Sequence, residues 1–546
     1  MNKKAFAGLF LLILIAAASL RCLGLGHRPM HHDEANQALK FGALLERGEY
    51  RYDKSDHHGP SLYYLSLPVA RVLGADRLAA LNETDLRLVP ALFGVGAVLL
   101  LWLFVPLIGR EAALWSALGL AVSPVMVYFS RFYIQETLLL FFLAGFMGAL
   151  LRYRRKPSWA WAVTAGFFAG MMYATKETSV IAFGSLAAAL LLTRVIGGKE
   201  GGRVGASVEG GAFRKKENAE GEYKGKAGSS IRGRHGFRWV HALAGAACAV
   251  FVSFVLFTSF FKNPRGWLDS ILSFKAYFVR AGEAGFHVHP WPYYLQTLAF
   301  SRSASGPTWS EGLVLVLAVV GLAAAFRRAP APAAGRAPLR TIAFYTLLST
   351  AAYSLLPYKT PWNILPFYLG FIILAGSGAA VIRGALRNRP VRALIFLLLA
   401  AGFLHLGMQA RRAGFVFAAD PRNPYVYAQT SPDFLKLVRR VEGLAAVHPD
   451  RENMLVEVIA GPYQTWPLPW YLRRFGRVGY WQEAGSAGRP EDAPVIISDT
   501  EQAGRLESLL KASFQSEYYE LRPGVFLVLH VRADLWKKYL ESRPGN

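Results

Sequence analysis

Cysteine is nearly absent from this chain: 546 residues carry two, Cys22 and Cys248. Both lie in or beside apolar runs, so no disulfide framework exists and the redox compartment is unreadable from them. Charge is also scarce, at 18% of residues against 53% hydrophobic ones, which excludes one soluble domain of this size. No basic stripe interleaved with aromatics occurs, so the net charge of +25 does not mark a nucleic-acid-binding protein. Tightly spaced metal ligands and internal repeats are missing too.

What is abundant is apolar sequence in long blocks. Ala5–Leu20, Val89–Ile108, Ala112–Phe129, Leu138–Leu151, Trp159–Tyr173 and Val180–Leu192 are close to charge-free, as are Val240–Phe261, Leu313–Phe326, Ile342–Leu356, Ile364–Ile382 and Ala393–Met408. Crossing the hydrocarbon takes about 17–25 residues, fewer where flanking groups snorkel. The expectation is therefore a polytopic α-helical membrane protein with about eleven spans. Lys3 and Lys4 precede the first run, as in a secretory signal, but no small-x-small cleavage site follows and Arg21 before Cys22 spoils a lipoprotein reading. An uncleaved first span is expected.

The positive charge sits in short loops: Arg152, Arg154, Arg155 and Lys156; Arg327, Arg328, Arg336 and Arg340; Arg383, Arg387, Arg389 and Arg392. The loop 198–238 adds ten Lys/Arg against five Glu. Such clusters stay cytoplasmic and touch anionic lipid. With the N-terminus inside, every basic loop falls inside, while segments 27–87 and 262–310 and everything after about residue 410 fall outside. Segment 27–87, with eight Lys/Arg against nine Asp/Glu, lacks the positive bias. The predicted organisation is a membrane domain over 1–410, interrupted by a disordered cytoplasmic insertion at 198–238, then a soluble extracytoplasmic α/β domain over 420–546. In that tail Ser431-Pro432-Asp433 reads as a helix start. Strands are expected at Met454–Ile459, Val495–Ile497, Phe514–Leu521 and Val525–Val531, the last two joined by an Arg522-Pro523-Gly524 turn. The setting is the plasma or inner membrane.

The same parity puts four polar motifs outside, each against a span: His31-His32-Asp33-Glu34, Ser130-Arg131 with Gln135-Glu136-Thr137, Thr175-Lys176-Glu177-Thr178, and Tyr358-Lys359-Thr360-Pro361-Trp362-Asn363. Ionisable groups beside hydrocarbon are costly and usually face a cavity or a partner. Asp33 and Glu34 could merely cap a helix containing Ala38, Phe41 and Leu45. Capping leaves His31 and His32 unexplained, and a carboxylate at a membrane edge can take the proton of an acceptor hydroxyl. His57 and His58 fall in Tyr52–Pro60, a solvated turn or a source of metal ligands and phosphate donors. Arg131, Lys176 and Lys359 can each meet a phosphate, although each alone could be snorkelling and Lys176 could pair with Glu177. The aromatic run Phe286–Tyr294 and the patch Trp466-Pro467-Leu468-Pro469-Trp470-Tyr471 read as interfacial belts, or as surfaces contacting a sugar, a lipid or an acceptor.

These motifs, with His58-Gly59-Pro60 and Leu62-Tyr63-Tyr64, resemble the GT-C superfamily of membrane glycosyltransferases, of the protein O-mannosyltransferase and aminoarabinose transferase type. More narrowly they are similar to the prokaryotic group named flippase-activity-associated membrane proteins, over most of residues 20–370 and at Trp466–Leu472. The resemblance implies a sugar donor linked to polyprenyl phosphate, and Asp33 as catalytic base with Glu34 beside it. Glu136 matches the second acidic position, although Gln135-Glu136 replaces an Asp-x-Asp, which puts metal use in doubt. A divalent ion, Mg or Mn, would draw on Asp33, Glu136 and His58. The substrate-binding set is His31, His32, His57, His58, Arg131, Glu136, Lys176, Glu177, Lys359 and Trp362. The acceptor, whether glycan, lipid or protein, is left open. Two rivals stand beside this reading: a transporter or flippase component for lipid-linked sugars, which would place polar groups at the midplane, and a non-catalytic scaffold.

Overall fold

A computed structural model describes residues 1–54, 58–209, 238–280, 287–303, 305–327, 336–510 and 513–543. Helix α1 (Lys3–Cys22) leads into a loop folded as α2 (His32–Arg47) and α3 (Ser61–Val72). The bundle continues through α4 (Glu83–Leu100), α5 (Val105–Ile108), α6 (Arg110–Val122), α7 (Pro124–Phe129), α8 (Glu136–Arg155), α9 (Trp159–Tyr173), α10 (Ser179–Glu209) and α11 (Trp239–Phe257). A second long loop holds α12 (Gly266–Arg280) and α13 (Tyr293–Ala299). Then α14 (Gly312–Phe326), α15 (Ala337–Leu355), α16 (Ile364–Ala385) and α17 (Arg389–Arg411) complete the bundle.

Each of the eleven apolar runs is helical, and among the described residues seven helices are long and apolar enough to cross a membrane, those built on α1, α4, α8, α10, α11, α16 and α17. The other four runs are shorter, broken or more polar: α9 and α14 have 15 residues each, and Ser123-Pro124 divides α6 from α7. The expected insertion 198–238 begins as an extension of α10, and 210–237 lies outside the described residues, as does His57. Helix α16 is buried nearly throughout, whereas α17 turns Leu394, Phe396, Leu397, Leu398 and Leu404 outward. Side chains that apolar and that exposed are stable against lipid rather than water. Lipid gives helices no hydrophobic reason to associate, so close backbone contact must supply the attraction. Accordingly α14 meets α16 at Gly321 and Gly378, where an added Cβ would strike the Leu374 and Leu317 carbonyls.

Backbone groups freed inside hydrocarbon must be satisfied by protein, and buried charges do this here. At the Ser123-Pro124 break, Arg21 donates to the carbonyls of Leu120 (2.7 Å) and Ala121 (2.8 Å). On the other side Glu311 accepts from Ser123 Oγ (2.6 Å), the Val125 N–H (2.9 Å), Tyr368 Oη (2.8 Å) and Tyr425 Oη (3.1 Å).

The C-terminal unit comprises α18 (Phe434–Val447), β1 (Val456–Ile459), α19 (Leu468–Tyr471), β2 (Val478–Trp481), β3 (Val495–Asp499), α20 (Thr500–Leu509), β4 (Phe514–Arg522), β5 (Val525–Arg532) and α21 (Ala533–Glu541). Its sheet runs β2-β1-β3-β5-β4, parallel across β2, β1 and β3 and antiparallel across β3, β5 and β4. Four strands lie where alternation or β-branched runs predict them. Strand β2 escapes that reading because Gly479 interrupts so short a run. Helix α18 buries Phe434, Leu437, Val441 and Leu444 against the sheet. The unit docks on the first loop: Trp470 Nε1 donates to Glu83 (2.9 Å), the Met30 N–H to Tyr471 Oη (2.9 Å), and Arg473 to the Leu81 carbonyl (2.6 Å). The rigid aromatic patch of the tail thus contacts the membrane part.

Candidate functional site

The site is built at the start of α2. His31 is its N-cap: Nδ1 accepts the Asp33 N–H (3.1 Å), and Glu34 completes a capping box by accepting the His31 N–H (2.9 Å). Since Nδ1 accepts, Nε2 carries the proton and donates to the Tyr427 carbonyl (3.0 Å), so the neutral tautomer is set by its partners. His31 Nδ1 lies 3.7 Å from Asp33 Oδ2.

The two acids of the motif part company. Asp33 keeps a side chain 42% exposed, whereas Glu34 is fully buried. Glu34 accepts from Arg87 Nε and Nη2 (both 2.8 Å), Arg28 Nη2 (3.0 and 3.1 Å) and the Tyr133 N–H (2.9 Å). Burial alone would raise its pKa; Arg28 and Arg87 outweigh that and hold it down at about 2. Glu34, expected beside Asp33 in catalysis, therefore occupies a structural position, with both oxygens committed to donors. Arg28 and Arg87 were missed at the sequence level, where their only signal was that a buried acid needs a cationic partner.

Arg131, expected to face a phosphate, caps α1 instead. Its Nη1 donates to the carbonyls of Leu20 (3.1 Å), Arg21 (3.2 Å) and Leu23 (2.7 Å), and its Nη2 to that of Gly24 (2.8 Å). The carbonyls of Leu20 and Arg21 are among those a helix C-terminus leaves without partners, and Leu23 and Gly24 follow directly after it.

Glu136 and Lys176 pair with each other, both buried, and Glu136 Oε2 has no hydrogen-bond partner among the described residues. Lys176 thus meets Glu136 and not Glu177, whose Oε2 lies 3.2 Å from His58 Nδ1. These motifs lock because His58-Gly59-Pro60 lies against the α9–α10 turn. The Gly59 N–H donates to Thr175 O and the Ser61 N–H to Ala174 O, each at 3.0 Å, and a Cβ at Gly59 would collide with the Ala174 carbonyl. Gln135 Nε2 donates to Gln37 Oε1 (2.8 Å), one turn beyond Asp33 on α2, and so joins this cluster to the first.

Lys359 donates through Nζ to the carbonyls of His289 (2.9 Å) and Leu356, and its N–H to His287 O (2.9 Å). Burial lowers its pKa. This brings in two residues absent from the expected set. His287 Nδ1 lies 2.5 Å from Tyr427 Oη, its ring 4.5 Å from that of Tyr358, and it sits in the electrostatic field of Asp33. Trp362 packs edge-on to both His31 (6.1 Å) and Tyr427 (5.8 Å), and His32 stacks on Trp466 (5.4 Å). Tyr427 carried no sequence signal: it stands in a linker and reaches the site only through the fold.

Among the described residues no group of three His, Cys, Asp or Glu side chains could hold a metal. Of the three candidate ligands, Glu136 pairs with the Lys176 ammonium and His58 with Glu177, and among the described residues they do not form one donor set.

A family model described as dolichyl-phosphate-mannose-protein mannosyltransferase matches residues 73–204. No curated protein matches the sequence. Among solved structures the chain is similar to ArnT from Cupriavidus metallidurans, in the apo state (16% identity, TM-score 0.62, covering 97% of this chain and 99% of that one). It is similar as well to ArnT bound to undecaprenyl phosphate (15%, 0.62, 98% and 99%). The oligosaccharyltransferase AglB from Archaeoglobus fulgidus, in complex with an inhibitory peptide and a dolichol-phosphate, matches with 12% identity and a TM-score of 0.53, covering 99% of this chain and 77% of that one. The chain shares the fold of these ArnT and AglB structures.

Proposed function

We propose that this chain transfers a sugar from a polyprenyl-phosphate-linked donor to an acceptor hydroxyl at the extracytoplasmic face of the membrane, with Asp33 as general base. The observation that carries it is the division of labour within one motif: Glu34 anchors α2, and the adjacent Asp33 carboxylate remains accessible 3.7 Å from His31 Nδ1. An accessible carboxylate pinned at a helix start is placed to accept a proton as the acceptor oxygen attacks the anomeric carbon. The anomeric C–O bond to phosphate then breaks, and the lipid phosphate leaves with the electron pair.

Lys359 suits the leaving phosphate. An ammonium has three donors, and the carbonyls of His289 and Leu356 take two. Lys176 can serve only if a phosphate displaces Glu136. The neighbours bound to undecaprenyl phosphate and dolichol-phosphate support a lipid-phosphate donor here. The test is mass spectrometry of surface glycans from cells carrying the chain or its Asp33→Asn variant, together with transfer by purified protein in proteoliposomes. Loss of product with normal insertion is expected. Full transfer by Asp33→Asn would remove Asp33 as the base, and lipid-sugar translocation without product would replace this reading with the transport one.

A further inference from the structure

At the start of α2, which carries Asp33, aromatic groups gather from segments far apart in the chain: His32 on α2, His287 in the second loop, Tyr358 and Trp362 after α15, Tyr427 in the linker and Trp466 before α19. Their contacts form a rim of two runs that start from the neighbouring residues His31 and His32. Trp466 stacks on His32, Trp362 meets His31 and Tyr427, Tyr427 bonds His287, and His287 lies on Tyr358. All are partly exposed, Tyr358 by 39%. An interfacial belt explains aromatics at helix ends, but Tyr427 and Trp466 belong to the linker and the α/β unit and still reach the α2 start, Tyr427 at His31 and Trp466 at His32.

Resting on the transferase reading, we propose that this rim is an acceptor subsite and that the acceptor is itself a carbohydrate, neutral at the ring that stacks there. A pyranose presents an apolar C–H face to an aromatic ring and hydroxyls at its edge. Rigid aromatic faces with a few polar groups at their margin suit that ligand. The nearby cation, Lys359, gives two of its three donors to carbonyls and its third to the donor phosphate in the reading above, so the rim itself offers rings, imidazoles and the Asp33 carboxylate. That set favours a sugar over an anionic lipid headgroup. The α/β unit, through Trp466, then contributes directly to acceptor recognition.

The experiment uses the full chain in nanodiscs without donor, probed by saturation-transfer NMR with maltotriose, mannotriose and xylotriose, and with a Ser/Thr hexapeptide. At least one trisaccharide should bind, and Tyr358→Ala and Trp466→Ala should weaken it about tenfold. Trp466→Phe, which keeps a stacking face, should recover most of the loss, as a merely structural role for Trp466 in docking would not predict for binding alone. Absence of saccharide binding, binding unchanged in both alanine variants, or binding of the peptide in preference to every saccharide would overturn the proposal. Asp33→Asn separates the two ideas. Sugar binding retained with transfer lost supports both, normal transfer by that variant removes Asp33 as the base, and no transfer by the parent chain sinks the transferase reading and leaves the NMR result to decide the rim.

Discussion

Replacing Glu34 by Gln should damage stability, and replacing Asp33 by Asn should not. Glu34 neutralises two arginines in a site where all three side chains are at most 6% exposed. Glutamine keeps one acceptor and turns an amide donor toward guanidinium donors, leaving buried charge uncompensated, which costs about 3–5 kcal/mol. The titration of Glu34 gives an independent figure. Its pKa falls from 4.5 to about 2 on folding, equivalent to about 3 kcal/mol. Because the folded pKa is the lower one, that stabilisation is complete above about pH 5 and disappears as pH falls toward 2. For a chain of this length, 3–5 kcal/mol corresponds to a Tm drop of about 3–4 °C. Asp33, half-exposed, contributes mainly its place in the first helical turn, below about 1 kcal/mol. Thermal unfolding in nanodiscs by tryptophan fluorescence, at pH 7 and pH 3.5, reads all of this. Glu34→Gln should melt early at pH 7, and its gap to the parent chain should narrow at pH 3.5. A Glu34→Gln protein with parental Tm and no activity would refute the structural assignment and return Glu34 to the chemistry.

Asp33→Asn should lower transfer by roughly a hundredfold to ten-thousandfold, the usual worth of a general base, with unchanged Tm; activity assay and melting curve on one preparation check it. Lys359→Met should raise the KM for lipid-linked sugar while leaving the acceptor KM alone, read by varying each substrate in proteoliposomes. Gly59→Ala should reduce folded yield, because its Cβ must displace the Ala174 carbonyl; size-exclusion profiles in detergent measure it. Chelator treatment should leave transfer intact, since the candidate ligands diverge, and loss of activity with EDTA that Mg or Mn restores would count against that expectation.

The helices were legible in the sequence because lipid demands long charge-free runs, and each such run is a helix whatever its neighbours do. The motifs were legible for a related reason: ionisable groups beside hydrocarbon stand out against so apolar a chain. Their roles were not. Asp33 and Glu34 are adjacent letters with one plausible chemistry, and only the arrival of Arg28 and Arg87 makes one an anchor and leaves the other accessible. Arg131 reads as a phosphate ligand until the end of α1 and the residues just after it place four carbonyls against it. Lys176 could have chosen Glu177 next to it and instead takes Glu136, 40 residues away in sequence, because the start of α8 meets the turn that follows α9. His287, Tyr427 and Trp466 come from a loop, a linker and a separate unit, so no spacing along the chain could join them to Asp33. Sequence decides which groups cannot rest in lipid; tertiary structure decides which partners satisfy them, because a buried charge takes the partner that packing brings within reach.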